Sequence, residues 1–84
     1  MFVEGEIIKI REWKDMVNEF GTMETPSGVV AVRCECYFTT DMKFMCGNDY
    51  KIKRVTDKGN YELHGNDFFV SNDMICKKEV IIWS

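Results

Sequence analysis

Apolar positions along the chain recur at two periods, and each change of period marks a boundary between elements. Residues 2–10 alternate apolar and charged side chains after Glu6, the pattern of a strand with one face in a core. At Trp13, Met16, Val17 and Phe20 the spacing becomes i, i+3, i+4, i+7, which predicts a helix over residues 12–20 with Gly21 as its C-terminal cap. Residues 22–28 hold the only proline and read as a loop. They lead into residues 29–38, where β-branched and aromatic side chains predict a second strand.

Thr39, Thr40 and Asp41 can cap a helical turn that carries Met42, Met45 and Cys46 and stops at Gly47 and Asn48. Tyr50, Ile52 and Val55, then Asp57, Lys58, Gly59 and Asn60, then Tyr61 and Leu63, follow the grammar of a hairpin. Phe68, Phe69 and Val70 form a short strand, Ser71 caps one helical turn bearing Met74, and residues 79–83 close with a last strand. About five or six strands with two or three short helical insertions are too few for a deep two-sheet sandwich. They suit a mainly β, α+β chain curled into a small, twisted, partly open barrel, a single domain over residues 1–84.

Composition agrees with a folded chain: 45% of residues are hydrophobic and 13% aromatic, which excludes a disordered segment. Eleven Lys and Arg against fourteen Asp and Glu leave a net charge of −3, too mild for the field of a nucleic-acid binder or a duplex mimic. No apolar run approaches the roughly 20 residues that span a bilayer, and no basic region precedes an apolar one at the N-terminus. The expectation is a soluble, monomeric, cytoplasmic protein. Met16, Met23, Met42, Met45 and Met74 read as gap-fillers of a small core.

Four cysteines in such a chain are free thiols or metal ligands more readily than disulfides. Cys34, Cys36, Cys46 and Cys76 could supply a tetrahedral structural zinc site, with His64 as a substitute ligand. The spacing, one residue, then nine, then twenty-nine, lacks the paired Cys-x-x-Cys knuckles of a zinc ribbon, so small core thiols are the competing reading. With one histidine, no phosphate loop and no paired carboxylates beyond Glu4 and Glu6, the expectation is that the chain is not an enzyme.

Two charged surfaces remain. Lys51, Lys53, Arg54 and Lys58 cluster near Tyr50 and Tyr61, which could grip single-stranded nucleic acid, although Asp49, Asp57, Glu62 and Asp67 offset much of that charge. Glu12, Asp15 and Glu19 form an acidic strip on the outer side of the predicted helix, opposed there only by Lys14. Such a strip can dock against a basic protein surface.

The succession of Val3 to Ile10, Cys36-Tyr37-Phe38 with Thr39 to Met42, Cys46-Gly47, Tyr50, Ile52, Tyr61 to Leu63 and Phe69 to Met74 resembles small bacteriophage SH3-like barrel proteins. Phe68 and Phe69 stand where that pattern usually carries Trp. The resemblance implies a phage-type inhibitor that binds a host protein, and within that class the chain looks like the anti-CRISPR proteins. There the partner would be a CRISPR effector nuclease, kept from loading its guide or target DNA. A single-stranded nucleic-acid-binding barrel and an accessory structural phage protein are the alternatives.

Overall fold

The computed structural model describes residues 2–76, and the expected strand over residues 79–83 lies outside them. Strand β1 (Ile7–Lys9) is followed by helix α1 (Trp13–Phe20), β2 (Thr22–Glu24), β3 (Val30–Val32) and β4 (Phe38–Thr39). A 3-10 helix over Thr40–Met45 leads to β5 (Asp49–Val55), β6 (Tyr61–Leu63) and β7 (Phe69–Val70), and a second 3-10 helix covers Asn72–Met74. The strands make two antiparallel sheets, one in the order β1-β5-β6-β7 and one in the order β2-β3-β4. The class is therefore mostly β with few short helices, as the alternation of short apolar runs indicates.

Helix α1 forms where its period places it. Glu12 is its N-cap residue in extended conformation, and Gly21, at φ +74°, sends its N–H back to the Val17 carbonyl at 2.8 Å. That left-handed backbone is open to glycine at little cost, which is why the helix stops there. Met16 is fully buried under the helix, and Trp13 lies 6.1 Å from Phe38 with the Lys43 ammonium 4.5 Å above its ring.

Three expectations need correction. The first strand shortens to Ile7–Lys9: Gly5 turns the chain at φ +85°, and Gly5 N–H and Glu6 O both bond Ile52 of β5, so two residues face one and the regular ladder ends there. The stretch expected as a loop contains β2: Thr22 to Glu24 pair with Val32 to Val30 around a turn closed by Thr25 N–H to Val29 O at 2.8 Å. The run expected as one strand over residues 29–38 breaks into β3 and β4, which lie side by side with Val32 opposite Phe38. The break lies at a reversal in which Tyr37 takes φ +29° with its N–H on the Cys34 carbonyl at 3.1 Å. Cys34 and Cys36 thus sit in a reversal rather than alternating along a strand with Val30 and Val32.

The core lies where the inner faces of the two sheets and α1 meet. Phe38, Met45, Ile52, Tyr61, Leu63 and Met74 are among its fully or almost fully buried members. Met16, Met42, Met45 and Met74 are buried as gap-fillers would be, whereas Met23 is half-buried on β2. The Tyr61 hydroxyl donates to Asn72 Oδ1 at 2.7 Å and accepts the Phe2 N–H at 3.1 Å, with the Phe2 ring edge-on at 5.9 Å. A buried phenol needs such partners, and they tie the N-terminal residues to the second 3-10 helix.

After that helix the chain returns along the free side of β1. Ile75 bridges Ile10, Arg11 N–H binds Met74 O at 2.9 Å, and Cys76 N–H binds Lys9 O at 2.8 Å. This return sets Asp73 beside α1.

Candidate functional site

Arg11 leaves β1 one turn before the helix, and its side chain is only 14% exposed. Its Nε donates to Asp15 Oδ2 at 2.7 Å, its terminal nitrogens reach both Glu19 carboxylate oxygens at 3.3 and 3.5 Å, and one donates to the Asp73 carbonyl at 3.0 Å. The guanidinium also lies 5.4 Å from the Phe20 ring centre. Five donors in a rigid fork allow one side chain to hold partners on two elements at once.

Around Arg11 opens a groove of about 620 Å³ between α1 and the 72–76 segment. Phe20 and Ile75 contribute apolar walls, while Asp15, Glu19 and Asp73 stand at its sides. Arg11 faces the carboxylates of Asp15 and Glu19 and the backbone carbonyl of Asp73, so two acidic groups oppose one cation there. The bond from Arg11 holds the Asp15 carboxyl below its usual pKa, and the same bond raises that of Arg11. Asp15 stays charged at neutral pH, and both it and Glu19 are exposed and held from beneath by Arg11.

The expected acidic strip is therefore divided. Asp15 and Glu19 converge on Arg11, whereas Glu12 is exposed at the helix start and directs its Oε1 against Gly47. The cation opposing the strip is Arg11, not Lys14. Its spacing to Asp15, i to i+4, is a readable helix-surface signal that the sequence reading passed over. Asp73 carried no local signal, because the return of residues 74–76 along β1 is what brings it in, whereas Phe20 was legible as part of the helix's apolar stripe.

A turn adjoins the groove through Asp73. Its carboxylate accepts the Glu35 N–H at 2.8 Å and the hydroxyl of the fully buried Ser71, and the Ser71 oxygen accepts the Cys36 N–H at 3.4 Å. These bonds hold residues 34–37 on the groove's edge.

The four thiols are free and scattered. Cys34 is buried with its sulfur 4.0 Å from Met16 Sδ, Cys36 and Cys46 are half-buried, and Cys76 is exposed. Among the described residues no three His, Cys, Asp or Glu side chains are arranged to hold a metal ion, and the exposed His64 joins no such group. Burial pushes the Cys34 thiol up to about 12 and raises Cys36 and Cys46 as well.

The two tyrosines of the basic hairpin differ in exposure. Tyr61 is fully buried, and Tyr50 is half-buried opposite Ile8 on the inner side of the sheet. Lys53 and Arg54 both reach Glu62, at 3.7 and 3.0 Å, and Lys9 pairs with Asp49 at 3.8 Å. Among the described residues no helix is long and apolar enough to cross a membrane. No family model, no curated protein and no solved structure matches the chain.

Proposed function

We propose that this chain is a non-catalytic binding protein that lays the acidic groove beside α1 against a basic surface of a larger protein. The observation that carries the reading is Arg11. By bonding one oxygen of Asp15 and both of Glu19, it holds two exposed carboxylates in place, so little side-chain freedom is lost when a partner's Lys or Arg arrives. We further read the two sheets as parts of a small SH3-like barrel, supported by the β5–β6 hairpin and the two short helical insertions.

The resemblance to small phage proteins narrows the class to inhibitors. The particular reading is an anti-CRISPR protein that occupies the basic channel of a CRISPR effector nuclease and blocks entry of guide or target DNA. No chemistry by this chain is required for that.

The test adds the purified protein to effector nucleases before guide loading and measures DNA cleavage. One equivalent abolishes cleavage by the target nuclease, whereas a chain with Asp15→Lys and Glu19→Lys leaves it active. Undiminished cleavage across representative nucleases of each effector type sinks the inhibitor reading. Full inhibition by the charge-reversed chain sinks the acidic groove as its means.

A further inference from the structure

The net charge of −3 is unevenly spread, and the outer face of the β1-β5-β6-β7 sheet runs against it. Side chains alternate across a strand, and buried Ile8, Ile52, Tyr61, Leu63 and Val70 mark the inner face. The registers Ile7 with Lys51, Lys9 with Asp49, Arg54 with Glu62 and Glu62 with Phe69 set those residues on the outer one. Lys53 joins them through a bulge: Ile52 lies opposite Leu63 and Arg54 opposite Glu62, so Lys53 is an extra residue in β5. On a regular strand Lys53 and Arg54 would face opposite ways, whereas here both reach Glu62, at 3.7 and 3.0 Å. The strands of this face thus carry Lys9, Lys51, Lys53 and Arg54 against Asp49 and Glu62, four cations to two carboxylates. The paired cations are more than half exposed, so their ion pairs are weak and a phosphate can compete for them. Phe69, 45% exposed on the strand that ends the sheet, is the cross-strand neighbour of the carboxylate that Lys53 and Arg54 share.

We propose that this outer sheet face binds single-stranded nucleic acid, with Lys9, Lys51, Lys53 and Arg54 along the phosphates and one base stacked on Phe69. The excess of cations complements a phosphate backbone. An exposed ring commits the occupant to a single strand, because the bases of a duplex are already stacked on one another and present no free face. The bulge is what concentrates the charge, since it brings two consecutive cations of β5 to the side on which Phe69 stands. This site draws on no residue of the acidic groove, and its failure leaves the protein-docking reading as it is.

The experiment titrates a fluorescein-labelled oligothymidine of about 12 nucleotides with the full chain, read by anisotropy across a salt series. With three or four phosphate contacts, log K falls against log salt with a slope of about −2 to −3. A chain with Lys51→Gln and Lys53→Gln binds more weakly and its slope is flatter by about 1 to 1.5. Phe69→Leu, which keeps apolar bulk at the strand, binds about tenfold more weakly, whereas Phe69→Tyr, which restores a ring, stays within about twofold. No binding by the parent at low salt, a slope that the lysine variant leaves unchanged, or full affinity in Phe69→Leu each overturns the site. Equal loss in Phe69→Tyr and Phe69→Leu overturns it too, as does equal affinity for a duplex of the same length. Displacement of the oligonucleotide by polyglutamate at equal charge concentration would assign the face to acidic proteins and overturn the proposal.

Discussion

Replacing Arg11 by methionine separates the contributions that meet at the groove. Methionine keeps an unbranched stem of similar reach, so the packing of the buried part is largely preserved and the guanidinium is what disappears. The carboxylates of Asp15 and Glu19 are 61% and 56% exposed, so solvent screens their pairs with Arg11 and these contribute little to folding. The bond to the Asp73 carbonyl is part-buried and charge-assisted, worth about 1.5–3 kcal/mol, and the stack on Phe20 adds about 0.5–1 kcal/mol. Since such terms overlap, Arg11→Met should cost about 2–3 kcal/mol, or roughly 10–20 °C in Tm for a domain of this size. Urea and thermal unfolding followed by circular dichroism, with and without 1 M NaCl, measure it. If the carbonyl and the ring dominate, the deficit persists in salt. A deficit under about 0.5 kcal/mol, or one that vanishes in 1 M NaCl, would refute this apportioning.

Other perturbations probe the core and its borders. At pH 8, Cys76 should react with iodoacetamide at least tenfold faster than Cys34, because Cys34 is buried with its pKa near 12; equal rates by peptide mass mapping would contradict that burial. The same shift makes a pH prediction: the folded thiol is raised above its ordinary 9.0, so its contribution to stability is intact below pH 9 and is lost as pH rises from 9 toward 12. A Cys34→Ala chain whose melting temperature falls as steeply over that interval would remove Cys34 as the cause. Gly47→Ala should destabilise by about 1–2 kcal/mol, since Gly47 sits at φ +75°; rescue by Glu12→Ala would show that the close Glu12 carboxylate, rather than the backbone, set the cost. Tyr61→Phe removes the acceptor of Phe2 N–H and the donor to Asn72, and should cost about 1–3 kcal/mol with the fold retained; a neutral result would mean water replaces the hydroxyl.

Local periodicity determined much of what was legible in advance. The i, i+3, i+4, i+7 series from Trp13 to Phe20 with Gly21 behind it specified α1, because a helix is closed by bonds between residues four apart and needs no distant partner to be recognised. The β5–β6 hairpin and the short helical turns after Thr39 and Ser71 were legible from local pattern too, although neither residue caps its turn through its side chain. Charge order along α1 located Asp15 and Glu19, but not the cation between them or the separation of Glu12. What tertiary structure alone decided is whatever depends on pairing at long range. The residues of β2 became a strand because β3 supplied the hydrogen-bonding edge, and the apolar run through Cys34 broke because Asp73 and Ser71, some 35 residues away, hold its backbone in a turn. Arg11, adjacent to the acidic strip in sequence, became its keystone only when the 74–76 segment closed against β1 and presented the Asp73 carbonyl. A strand edge or a buried donor acquires its role from the group that satisfies it, and that group is named by the fold rather than by neighbouring residues.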